Sequence, residues 1–309
     1  MHRIVAVAIN TFREAVRDRV LLGMIGVALL VLVFTLALAE LSLHQERRIV
    51  LDLGLASVSL FSAMVSVFLG SSLLYKEIER KTLYVILPKP IRRTEFLLGK
   101  CLGIVLTVSV FVFIMGAVQL WVTAVQAGGT VWILSLAAFG LPLVTGLMAY
   151  KARDRTAILL PGSLVALLVC AALAAEAGVA LVPILAALAL VVGEVLLITS
   201  VALLFSSFST PFLTALFTLG IWIAGRSADF MATMKSKTLP EEIRNGLKVL
   251  AEIVPNFNLF VPGRYTLESQ LDEVAGPLSY VGTALLYTAA YSAILLVLAS
   301  LLFRRRDFL

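Results

Sequence analysis

The feature that most constrains this chain is a succession of apolar runs long enough to cross a lipid bilayer. The first, Val20 to Leu38, carries no charged residue at all. A membrane-crossing helix needs about 20 apolar residues, and seven further runs approach or exceed that length: Leu53 to Tyr75, Leu102 to Ala124, Val131 to Tyr150, Ala157 to Ala175, Val179 to Phe205, Pro211 to Gly225 and Tyr280 to Phe303. Of the 309 residues, 61% are hydrophobic and 14% charged, against about half and about a quarter in an ordinary soluble domain. The expected fold is all-α: a polytopic transmembrane bundle of about eight spans forming one domain over residues 1–309. The seventh run is short, because 15 residues rise only about 22 Å; either it extends past Arg226 by snorkelling or it is a broken helix. The pair around the "KARDR" loop, residues 151–155, could instead be a re-entrant hairpin, which leaves six full spans and the same parity.

An even number of spans puts both termini on one side, and the positive charges say which. Most of the 25 Lys and Arg residues fall in four places: Arg3 to Arg19, Lys76 to Lys100, Lys151 to Arg155 and Arg304 to Arg306. Cytoplasmic loops collect Lys and Arg, so both termini are expected in the cytoplasm, with the acidic residues biased to the opposite face. The same bias accounts for the net charge of +6 without nucleic acid as a partner.

Three segments outside the spans carry pattern. Residues 1–19 place Ile4, Ala8, Phe12, Ala15 and Val16 on one helical face and Arg3, Arg13, Arg17 and Asp18 elsewhere, as an interfacial helix would. The small-residue sequence at 37–39 imitates a signal-peptidase site, but the run is long and follows a charged lead, so a retained helix is expected. In the outer-side segment 229–278, Ile243, Leu247, Leu250, Ala251 and Val254 recur at helical spacing and predict an amphipathic surface helix. The third segment, Tyr75 to Lys100, is too charged to span and too apolar for a plain linker. Lys76 to Leu87 predicts a short helix, ended by Pro88 and Pro90, with Thr94 as the cap of the next helix and Glu95 at its positive end.

Catalytic constellations are missing from the sequence. Only two histidines occur, His2 and His44; the two cysteines, Cys101 and Cys170, lie in apolar surroundings and read as packing residues. Neither a zinc-protease motif nor a nucleophile elbow nor a P-loop is present, so this chain is expected to be neither an enzyme nor a nucleotide binder by the P-loop mechanism. No metal or other cofactor is expected in it. Inside the spans, Glu194 stands out, because a carboxylate at mid-depth costs a few kcal/mol or more on insertion scales. It is either part of a transport path or conformational lock, or a hydrogen-bonded group that joins helices. Gln119 reads as helix–helix glue, and Ser59, Ser62, Ser66 and Gly70 form a small-residue packing face.

The inner loop resembles the hallmark of the ABC type-2 permease family, the membrane subunits of ATP-binding-cassette exporters, in the spacing of Glu77, Glu79, Thr82, Leu87, Pro90, Arg93, Glu95, Gly99 and Lys100. It is closest to the branch linked to maturation of nitrous-oxide reductase and multi-copper enzymes. The lead "NTFREAVRDRV", the segment "EVLLITSVALLFSSFSTP" and the ending "FRRRDF" agree with that branch in order along the chain. Lys81, where many members of the wider family carry glycine, and the extra pair of spans between Val131 and Ala175 depart from it.

The resemblance implies a permease of the prokaryotic cytoplasmic (inner) membrane, paired with a second copy or a paralogue as a dimer. Its partner would be a separate ABC ATPase that holds ATP and Mg. It also implies a coupling loop over residues 76–95, with Glu77, Glu79, Lys81, Thr82, Pro90, Arg92, Arg93 and Glu95 as ATPase-coupling positions. Two other classes stay open: an autonomous secondary transporter or channel that uses Glu194, and a membrane anchor or assembly factor. The transported substrate is not legible in the sequence.

Overall fold

The computed structural model describes residues 2–41, 46–79, 92–128, 155–233, 241–261 and 277–305. Every regular element among these residues is helical, and six helices are long and apolar enough to cross a membrane. The chain is an all-α integral membrane protein. The expected fourth span, Val131 to Tyr150, and the coupling positions Lys81, Thr82 and Pro90 lie outside the described residues.

Helix α1 (His2–Val16) is separated from α2 (Arg19–Glu40) by a turn in which the Asp18 carboxylate accepts from the backbone N–H of Val20 at 3.0 Å. Helices α3 (Glu46–Glu79) and α4 (Arg93–Gln126) follow, then α5 (Arg155–Glu176), α6 (Leu181–Ser206) and the short α7 (Pro211–Arg226). Two small helices, α8 (Ala228–Thr233) and α9 (Glu241–Ile253), and a 3₁₀ turn (Phe257–Phe260) lead to the last span, α10 (Pro277–Arg305).

Three helices form the centre. In the membrane-spanning windows of α3, α4 and α6, 61%, 67% and 56% of residues are buried, against 22% in α2 and α10 and 28% in α5, which places α2, α5 and α10 on the periphery. Small residues set the close approaches, because lipid offers no hydrophobic drive between helices and packing must supply it. On α3, Ser62 and Ser66 are fully buried and return their hydroxyls to carbonyls one turn back; a methyl at Gly70 would lie 2.5 Å from Ala202 of α6. The expected small-residue face of the second span is thus a packing face.

Helix α1 does have the expected amphipathic face, with Ala8, Phe12 and Ala15 buried, and that face seats on α4. Gly99 and Gly103 are one turn apart on α4; a Cβ at Gly99 would lie 2.6 Å from Val7, and one at Gly103 2.6 Å from the Ala8 carbonyl. The amphipathic segment after Pro240 also forms, as α9. Val254 just beyond it is buried while Ile243 and Leu250 are exposed, so only part of the predicted stripe packs inward.

Two local expectations change. No break separates the second span from the loop helix expected at Lys76, since nothing between Tyr75 and Glu79 interrupts a helix; Glu77 and Glu79 fall in the last turn of α3. At the other end of the loop the N-cap is Arg92, two residues before Thr94. Arg92 is extended (φ −68°, ψ 143°) and its N–H donates to the Glu95 carboxylate at 3.1 Å, so Glu95 serves as the N3 acceptor for the cap residue's own N–H and Thr94 lies inside the helix.

Candidate functional site

Glu194 sits halfway along α6, in the most apolar part of the bundle, and its carboxyl is 1% exposed. All its polar partners come from neighbouring helices. Oε1 accepts from Trp222 Nε1 at 2.8 Å and from Arg226 Nη2 at 2.9 Å, both on α7. Oε2 accepts from the Ser59 hydroxyl of α3 at 2.7 Å. Ser59 in turn accepts from Arg226 Nη2, which closes a ring of donors and acceptors among three helices.

The shortness of α7 makes this possible. Its 16 residues rise about 24 Å, so Arg226, in the last turn, stays within the bundle. The expected alternative was a snorkelling Arg226. Instead its side chain is 23% exposed, its guanidinium lies 5.1 Å from the centre of the Trp222 ring, and it neutralises Glu194. Trp222 and Arg226 are four residues apart and so share one helical face. Arg226 Nε is buried without a hydrogen-bond partner. A buried ion pair of this kind holds one helix arrangement and resists another, because separating the charges within hydrocarbon is costly.

Gln119 does what the sequence suggests. Fully buried on α4, it donates from Nε2 to the Val50 carbonyl of α3 at 3.0 Å. Its amide lies directly over Gly54, where any side chain would collide with it.

Of the predicted coupling positions that are described, Glu77 and Glu79 end α3, and Arg92, Arg93 and Glu95 lie at the start of α4. Arg93 donates through Nη1 to the Phe303 carbonyl of α10 at 2.7 Å, and its guanidinium lies 5.9 Å from the centre of that residue's ring. One turn on, Phe96 stacks on Phe303 with centroids 6.4 Å apart. Lys100, a further turn along, is 1% exposed and pairs with Glu14 of α1 at 3.8 Å. Both terminal helices are thus fastened to the first two turns of α4. Lys100 and Phe303, whose contacts complete this junction, entered the sequence reading as an inner-loop cation, the end of the last apolar run and members of the family pattern, without their partners, which lie far away in the chain.

Among the described residues no group of three or more His, Cys, Asp or Glu side chains is placed to hold a metal ion. No family model matches this chain, and neither does any curated protein.

Proposed function

We propose that this protein is the permease subunit of an ATP-driven transporter, an exporter by family resemblance, with both termini in the cytoplasm and a separate P-loop ATPase bound at the loop between α3 and α4. The observation that carries the reading is the junction at the base of α4. Helices α3 and α4 have 34 residues each, about 51 Å of helix at 1.5 Å per residue, against a hydrocarbon core of about 30 Å. Part of the excess, the last turn of α3 and the first two turns of α4, lies beyond the apolar runs on the side of the loop that joins them, where positive charges collect. A push on that loop would reach α1 through Lys100 and Glu14 and α10 through Arg93 and Phe303.

In this reading ATP changes the ATPase, the loop moves, and the bundle shifts between two packings. Such coupling requires that ATP favour one packing over the other. The Glu194–Arg226–Ser59 ring ties α6, α7 and α3 together and is the element whose opening separates the two states.

The deciding experiment is affinity purification in mild detergent, with mass spectrometry of co-purifying proteins. Recovery of a P-loop ATPase in equal amount is expected. If the protein emerges without one, under conditions that keep other membrane complexes whole, and carries out transport alone in liposomes, it is an autonomous carrier and the proposal fails.

A further inference from the structure

The chain that follows α9, residues 254–261, does not stay at the surface. Gly193, next to Glu194, lies twelve residues into α6, about 18 Å along it. A Cβ there would meet Leu285 of α10 at 2.9 Å and the Phe260 ring at 3.3 Å. Gly225, next to Arg226, is overlaid so closely by the Pro255 carbonyl and the Phe257 ring that no side chain fits. Phe257 and Phe260 are both fully buried, and with Leu190, Leu197, Ala63 and Val67 they form one apolar cluster. A segment without an α-helical ladder, built on the Phe257–Phe260 3₁₀ turn, thus reaches deep into the bundle, and its two aromatic rings rest on the residues that immediately precede the two members of the ion pair.

Irregular backbone at such depth persists only when its polar groups are satisfied within the protein. The bonds that do this lie towards the exposed side of the segment. Asn256 donates its backbone N–H to the Tyr287 hydroxyl at 3.0 Å, and the Tyr280 and Tyr291 hydroxyls donate to the Leu259 and Ile253 carbonyls at 2.9 and 2.6 Å. The Asp229 carboxylate of α8 accepts from the Asn256 side-chain amide at 2.8 Å and from that of Asn258.

We propose that residues 254–261 are a gate: Phe257 and Phe260 plug the non-cytoplasmic end of the space between α3, α6, α7 and α10, and Asp229 and Tyr287 latch the plug shut. The inference rests on the transport reading and places in it the barrier that must yield when the bundle opens outward. The device has a dry part and a wet part. The rings are fully buried and close over the side on which Glu194 lies, itself 1% exposed. The latch is partly exposed, so its hydrogen bonds can be exchanged for bonds to water, and it is the part that can let go.

The test uses the full chain in right-side-out membrane vesicles, with Cys101 and Cys170 replaced by alanine and a single reporter, Ala63→Cys, on α3 in the cluster beneath the rings. A membrane-impermeant maleimide is added outside. With the latch intact, labelling is expected to be slow. Asp229→Ala and Tyr287→Phe each remove a latch bond without touching the core, and each is expected to raise the labelling rate about tenfold, the effect of losing one or two modest hydrogen bonds. Val249→Cys, 54% exposed on α9 and away from Asp229, controls for sidedness and should label at one rate in all backgrounds. A single symmetric gel-filtration peak shows that each variant is folded.

Equally slow labelling in both folded latch variants overturns the gate, as does fast labelling with the latch intact. The readout needs no ATPase. If the latch variants label no faster but an ATPase co-purifies, the gate fails and the permease reading stands; if labelling rises and no ATPase is found, the gate belongs to an autonomous carrier.

Discussion

At the scale of single residues, Glu194 was conspicuous in the sequence because a carboxylate in a long apolar run is expensive. Its partner was not. Arg226 ends a run too short to cross the bilayer, where the ordinary expectation for arginine is to reach for the interface; only the packing of α7 against α3 and α6 reveals that it turns inward. Ser59 read as one small residue among several, and its hydroxyl differs from those of Ser62 and Ser66 in what it meets, a carboxylate from another helix instead of its own backbone. The pair makes an asymmetric prediction. Arg226→Met leaves a buried carboxylate with only Trp222 and Ser59 as donors, and breaking a buried pair from one side costs about 3–5 kcal/mol in water-soluble proteins. Arg226→Met combined with Glu194→Gln removes both charges and should recover most of that loss. The retained gel-filtration peak after a heat series measures both. With Glu194→Gln measured beside them, a double-variant loss equal to the sum of the two single losses would show that the two side chains are not energetically coupled.

At the scale of elements, the amphipathic patterns before α2 and after Pro240 were legible because one periodicity marks both helix and face. Helix ends were less so: the cap at Thr94 gave way to Arg92 because Glu95 reaches back to its N–H, a choice of acceptor that spacing alone leaves open. What α1 packs against was also hidden, since an amphipathic helix at a membrane edge has lipid as its default partner. The signal that could have found its seat is the Gly99–Gly103 pair, a small-xxx-small spacing of the kind that lets helix backbones approach. Gly103→Leu should therefore displace α1. The new side chain would enter space held by Thr11 and by the Ala8 carbonyl, and a backbone atom cannot yield as a side chain can. Overpacking of this kind costs about 1–3 kcal/mol. Hydrogen exchange over residues 2–16 should rise about tenfold or more, while α6 stays protected. Unchanged exchange in α1 would mean that it is not held by this seat.

At the scale of the whole molecule, the presence of several membrane-crossing helices follows from composition, while their arrangement does not, because three of the long apolar helices are central and three peripheral with little to tell them apart in hydrophobicity. The division becomes intelligible through polar and small residues. Gln119 and the small-residue face of α3 join α3 to its neighbours, and Glu194 ties α6 to α3 and α7. Arg93, Phe96 and Lys100 then connect this centre to the two terminal helices at the base of α4. That design separates two properties which a single contact would merge. In the permease proposed above, the loop between α3 and α4 would decide whether an ATPase binds, and the junction at the base of α4 whether its movement reaches the rest of the bundle. Arg93→Met keeps a long side chain over Phe303 but removes the bond to its carbonyl and the cation over its ring. In the transporter complex reconstituted into lipid nanodiscs, this variant should retain the ATPase through gel filtration while losing most of the difference in hydrogen exchange at α10 between ATP-bound and nucleotide-free states. Loss of the ATPase itself would make Arg93 part of the docking surface, and an unchanged exchange response would show that the movement reaches α10 by another route.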